Sequence, residues 1–206
     1  MTSASTTRVR PTREELELAR ARLLPDVAAP DLSVLLTGIN PGLYSAWTGH
    51  HFARPGNRFW PALHRSGFTP RLFRPDEQDE LIPLGLGITN VVGRPTARAG
   101  ELTTDELVAG GEELRAKVRR LRPRWLAVCG ITAYRAAFGE SEAVIGEQAT
   151  TVGDTRIWVL PNPSGLNAHY TAPALAHEFA RLREAAAAGQ SSSQAGARSL
   201  DPHLEG

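Results

Sequence analysis

The feature of this chain that most restricts its fold is a series of short apolar runs with helical patterns spaced between them. Ser33 to Ile39, Leu86 to Val92, Trp125 to Cys129 and Arg156 to Leu160 are short, mainly apolar runs without strict alternation, as strands covered on both faces are. Around them lie helix signals. Thr12 with Glu15 makes a capping box that opens a helix through Leu23, and Asn57 is placed to cap a helix bearing Phe59, Trp60 and Leu63 that Gly67 ends. Thr103 with Glu106 begins a helix whose Leu107, Leu114, Val118 and Leu121 share one face before Pro123 stops it. Thr171 caps a last helix with Leu175, Phe179 and Leu182 inward. Strands joined through helices pair in parallel, so the expected fold class is α/β: a three-layer α/β/α domain with a short, mainly parallel central sheet.

At 206 residues and 41% hydrophobic, the chain suits one core-bearing domain, expected over residues 12–188. The first eleven residues are polar, and GQSSSQAGARS from Gly189 onward cannot offset its own ordering entropy, so 1–11 and 189–206 are expected to be disordered tails. The formal net charge is only +1, so a grip on a polyanion must come from local clusters. Arg115, Lys117, Arg119, Arg120, Arg122 and Arg124 form one such cluster, which by itself reads more readily as a solvated helix face. The single cysteine, Cys129, excludes disulfides, a cysteine-ligated iron-sulfur cluster and a zinc knuckle, and neither a cofactor nor a metal is expected. No apolar run approaches the ~20 residues of a membrane span, and the start lacks a secretory core. A monomer in an intracellular, reducing compartment is expected, with no membrane partner.

In an open parallel sheet, ligands bind beyond the carboxyl ends of the strands, which draws attention to two loops. The first, GINPGLYSAWTGHHFARPGN, brackets Asn40 between Gly38, Pro41 and Gly42. Such a turn lets backbone approach a ligand and aims the amide, which cannot take a proton but can orient a water or hold the polar edge of a base. Asn-Pro-Gly is also an ordinary turn. Phe52, on a Pro/Gly-rich loop, is either a stacking platform for an extruded base or ordinary core. His50 and His51 have no partner visible in sequence, which leaves a metal or general-base role as the lesser reading. The second loop, LPNPSGLNAHYT, offers Asn162, Ser164 and backbone N–H groups for phosphate, and Leu166 as an apolar residue able to enter a base stack.

Four segments in this order, GINPGL, TGHHFARPGNRFW, GITNVVGRPT and VLPNPSGL, resemble the mismatch-specific uracil/thymine DNA glycosylases, a branch of the uracil-DNA glycosylase superfamily. The resemblance runs from about Ser33 to about Arg183. It implies that Asn40 positions the attacking water and that Phe52 stacks on the flipped base. It implies that backbone around Gly42 and Phe52 reads the pyrimidine edge, with Ser45 where a thymine methyl would sit and His51 as a further donor to the leaving base. It also implies a wedge, in which Leu166 with Gly165 and Asn167 fills the duplex opposite the widowed guanine. Asn90, and Ala168 with His169, stand where the resemblance leads one to expect basic side chains.

The implied partner is double-stranded DNA with a G·U or related mismatch, ethenocytosine and thymine being further candidate bases. Uracil would leave as an anion stabilised by fixed donors. Without a carboxylate base, turnover is expected to be slow, since a positioned base typically contributes about 10² to 10⁴ in rate. No lysine lies in either loop, so no Schiff-base nucleophile and no strand cleavage are expected. A catalytically inactive damage-binding module of the same fold is the alternative reading.

Overall fold

The computed structural model describes residues 10–165 and 167–197. Five strands form one sheet: β1 (Val34–Gly38), β2 (Leu86–Asn90), β3 (Trp125–Cys129), β4 (Gly146–Val152) and β5 (Thr155–Leu160), in the order β2-β1-β3-β5-β4. All neighbours pair in parallel except β4, which returns antiparallel beside β5. Successive side chains of a strand point to opposite faces, and the two cores follow that period of two. Val34 and Leu36, Trp125, Ala127 and Cys129, and Trp158 and Leu160 belong to one core. Leu35, Leu126 and Val128, and Ile157 and Val159 belong to the other.

Helices cover both faces, which gives the expected three layers. On the first face lie α3 (Phe59–Arg65), through Phe59, Trp60 and Leu63, and α6 (Ala172–Ala197), through Leu175, Phe179 and Leu182. On the second lie α4 (Thr104–Leu121) and α5 (Ile131–Phe138), through Leu114, Val118, Tyr134 and Phe138. Two short helices, α1 (Arg13–Leu18) and α2 (Leu43–Thr48), pack against each other beyond these layers.

The local signals act much as their chemistry dictates. Thr12–Glu15 and Thr103–Glu106 form reciprocal capping boxes, and Thr171 Oγ1 accepts from the Ala174 N–H. The first helix is shorter than expected and tightens into a 3-10 turn, Ala19–Ala21. The last runs through Ala197, past Gly189, because extending an established helix costs far less than nucleating one. The remainder of both expected tails, residues 1–9 and 198–206, lies outside the described residues.

The connections decide where a ligand can sit. The chain leaves β1, covers the first face with α3 and enters β2 at the sheet edge; it then returns along the second face through α4 to enter β3 on the other side of β1. The segments leaving β1 and β3 therefore diverge to opposite faces, and this divergence opens a crevice at the carboxyl ends of the two strands.

Candidate active site

A cleft of about 720 Å³ occupies that crevice, and the segments following β1, β2, β3 and β5 all contribute to its wall. Asn40, Gly42, Ser45, His51 and Phe52 of the first loop line it, as do Asn162, Ser164 and Asn167 of the second. The two loops touch where Gly165 meets Gly56: a Cβ at Gly165 would lie 2.6 Å from the Gly56 carbonyl oxygen, so only glycine permits the approach. A smaller recess continues the cleft at that junction, between Arg54 and Gly165. Leu166, the expected wedge, lies outside the described residues.

Asn40 is held from the β2 side. Its amide nitrogen donates to the Arg94 carbonyl at 2.8 Å and to Thr96 Oγ1 at 2.7 Å. A carbonyl can only accept, so the amino group must face Arg94, and the amide oxygen is fixed on the other side with no donor reaching it among the described residues. Thr96 is itself tied down, because Pro41 accepts from its N–H and its carbonyl accepts from the Leu43 N–H. Arg94 is anchored through Glu106, whose carboxyl that guanidinium holds down at about 2. Sequence reasoning singled out the segment GITNVVGRPT without giving Arg94 or Thr96 a role; Asn40 itself gave no sign of which groups would hold it.

Phe52 adopts a left-handed backbone conformation, φ +52°, which is costly for a bulky residue and points to a constrained functional position. One ring face lies on Phe59, centroids 3.9 Å apart and planes 11° from parallel, while the residue also lines the cleft. The residue thus belongs to the core and borders the cleft at once, so the two readings do not exclude each other. A Cβ at Gly38 would stand 2.6 Å from Asn90 Oδ1 and 3.2 Å from Phe52 Cζ, so glycine at the end of β1 lets both side chains lie over the strand. Ser45 is buried, and its hydroxyl accepts from the Ala53 N–H at 3.1 Å, which sets the curvature of the loop.

His51 does not serve as the expected donor. Its Nε2 lies 2.9 Å from the Pro25 carbonyl and must carry the ring's one proton; Nδ1 is then a lone pair facing Asn90 Nδ2 at 3.4 Å. Burial pushes the ring's pKa down, against the opposing pull of the Pro25 bond and of Asp26. A neutral imidazole whose proton points at Pro25 has none to offer a departing base. Better placed are the N–H groups of Gly42 and Phe52, which meet no protein acceptor among the described residues.

In the second loop, side chains expected to touch DNA largely brace the loop. Asn162 Oδ1 accepts from the Ser164 N–H, which removes that donor from phosphate binding. Asn167 donates to the Asn162 carbonyl and accepts from the His169 N–H, so the amide expected beside a widowed guanine has an internal task. Arg58, which sequence reasoning passed over, reaches from the start of α3 to the carbonyls of Ser164, Asn167 and Tyr170.

The charges around the cleft are one-sided. Arg54 and Arg98 line it, and no Asp or Glu does among the described residues. Cys129 is at its floor, but burial pushes the thiol up to about 12, too high for a thiolate nucleophile. Among the described residues no group of three His, Cys, Asp or Glu side chains could hold a metal ion. The basic cluster of α4 is elsewhere: Lys117 pairs with Asp26, Arg122 with Asp31, and Arg124 donates to Ser33 Oγ, so its end lies at the amino edge of the sheet.

The crevice, with an amide, a ring and an Arg-braced loop at the carboxyl ends of the parallel strands, lies where α/β domains bind ligands. Residues 25–186 match the family model of the uracil DNA glycosylase superfamily, and the chain belongs to that superfamily. Its members are DNA glycosylases, which places this protein among the hydrolases of DNA repair.

Proposed function

We propose that this protein is a monofunctional DNA glycosylase that flips uracil mispaired with guanine out of duplex DNA and hydrolyses its N-glycosidic bond. The observation that carries this reading is the Asn40 amide. With both its hydrogens committed to Arg94 and Thr96, its oxygen can only accept, and a water donating to it would be aimed at the sugar of a base lying on Phe52. Water then adds to C1′ as the C1′–N1 bond breaks. The bonding pair leaves with the base, and the water's second proton passes to solvent.

The Gly42 and Phe52 N–H groups are the donors for the anion on the departing ring, in a cleft whose charged side chains are all basic. A G·U wobble pair is easier to open than a Watson-Crick pair, so flipping already favours the mispaired base. The protein acts within the compartment that holds the genome, as a monomer. Ethenocytosine and thymine opposite guanine are slower candidate substrates, since without a general base the leaving ability of the base weighs more in the rate.

The test is a single-turnover cleavage panel on G·U, A·U, G·T, G·ethenocytosine and single-stranded uracil, with Asn40→Ala beside the wild type. G·U is expected to be cut fastest, without strand scission, and Asn40→Ala to bind G·U nearly normally while losing roughly 10²-fold or more in rate. Equal cleavage by the variant would remove Asn40 from the mechanism. That no carboxylate lines the cleft among the described residues also fits an inactive damage-binding module. Binding of G·U duplex with no abasic product from any substrate would favour that second reading.

A further inference from the structure

A left-handed backbone at a bulky residue such as Phe52, φ +52°, persists only where its surroundings over-determine it. Side chains from α2, α3 and the 3-10 segment Pro75–Leu84 converge on the backbone of residues 49–53. Gln78 accepts from the His51 N–H through Oε1 at 2.8 Å and donates through Nε2 to the Gly49 carbonyl at 3.2 Å. A carbonyl only accepts, so the Gly49 bond settles which way the Gln78 amide faces. Trp60 Nε1 donates to the His51 carbonyl at 3.1 Å, and Ser45 Oγ accepts from the Ala53 N–H at 3.1 Å.

These bonds leave one donor free and give it a direction. The N–H groups of Gly49, His50, His51 and Ala53 each meet an acceptor, while that of Phe52 meets none among the described residues. The Phe52 N–H belongs to the same peptide as the His51 carbonyl. No peptide bond is cis among the described residues, and in a trans peptide the N–H points opposite to the C=O. With that carbonyl turned to the buried Trp60 indole, the Phe52 N–H is turned away from it, and Phe52 lines the cleft. Gln78 holds the two preceding peptides, one by its carbonyl and one by its N–H, so the chain enters the Phe52 peptide at a set angle. A fixed, unpartnered donor at a cleft wall is suited to an atom that gains negative charge during a reaction.

We propose that Trp60 and Gln78 are positioning residues that aim the Phe52 N–H at the oxygen on which negative charge gathers as the base departs. The inference rests on the glycosylase reading for its target and on geometry alone for its device. Neither side chain lines the cleft, so each acts through the peptide it holds.

The experiment compares single-turnover cleavage of duplexes that carry uracil or 5-fluorouracil opposite guanine. Fluorine withdraws electron density, so 5-fluorouracil bears its negative charge more easily and leans less on a donor. Trp60→Phe keeps a ring in the core and drops the indole donor. Gln78→Leu keeps the bulk at a half-buried position and drops both bonds, and so gives the answer where a core substitution unfolds the chain. Each variant should release uracil about tenfold more slowly and 5-fluorouracil no more than about threefold more slowly, with affinity for a duplex carrying a non-cleavable abasic analogue within about twofold of wild type. Hydrogen exchange of the His51 N–H should rise in Gln78→Leu while α3 and the sheet keep their protection. Equal slowing on the two bases, or none on either, overturns the aiming role, and unchanged His51 exchange in Gln78→Leu overturns the clamp. A wild-type chain that cuts neither base overturns the glycosylase reading and with it the target of the N–H, an outcome distinct from the exchange result.

Discussion

Thr96 holds the amide on which the chemistry turns: it is 1% exposed and lends its hydroxyl oxygen to Asn40. Thr96→Val keeps the shape and removes that acceptor, so the amide is held by the Arg94 carbonyl alone; single-turnover cleavage of a G·U duplex should fall about tenfold with little change in affinity, in line with one lost hydrogen bond of about 1 kcal/mol or more. His51 has a different signature. Its folded pKa lies below the ordinary 6.5, so the unfolded chain binds the proton more readily. The stability contributed by keeping the ring neutral is complete above 6.5 and is lost as pH falls from there through the folded value. Thermal unfolding midpoints recorded from about pH 8 down to about 5 should therefore drop more steeply in the acid half of that range for wild type than for His51→Gln. Both residues show where legibility stopped. That Asn40 and Phe52 line the crevice could be read from the loop they share, which follows a parallel strand, while local sequence left an ordinary turn and a core ring as their alternatives. Thr96, Arg58 and the Pro25 carbonyl act on residues far away in the chain, and nothing in their own neighbourhoods announces it.

Among the elements, the four parallel strands were legible because burial on both faces forces continuous apolar runs, as at Trp125–Cys129. β4 was not, since a strand at the sheet edge whose Glu147, Ala149 and Thr151 are alternately exposed carries no such run. α5 was missed because it follows β3 directly at Gly130, φ +131°, with no capping side chain to mark its start. α2 was hidden inside the first loop, six residues between Gly42 and the left-handed Gly49. The two loops also make a prediction at this scale. Gly165→Ala drives a methyl to within 2.6 Å of the Gly56 carbonyl, so the loops must part. Affinity for an abasic duplex should fall while the far-ultraviolet circular dichroism stays unchanged; undiminished affinity would mean that the loops do not engage DNA as one surface.

For the whole molecule, a net charge of +1 and a basic cluster turned to the amino edge of the sheet leave Arg54 and Arg98 as exposed cations at the cleft. If the cleft faces DNA, Arg54→Ala and Arg98→Ala should each reduce the slope of log affinity against log salt by about one, and Arg120→Ala on α4 should leave it unchanged. A slope that responds to Arg120 and not to the other two would turn the molecule over on its substrate. The segment at Pro25 to Val27 carries a last consequence. Val27 exchanges both backbone bonds with Ile88 along the outer side of β2, so an apolar strand that would otherwise end the sheet is sealed by a single residue. Trimming the chain to just before Leu32 would keep every cleft residue except Leu24 in the chain, remove the Pro25 carbonyl that His51 meets, and strip that seal. Such a fragment should cluster edge to edge, visible as rising light scatter, so the keeper of solubility here is one valine that stands outside the cleft altogether.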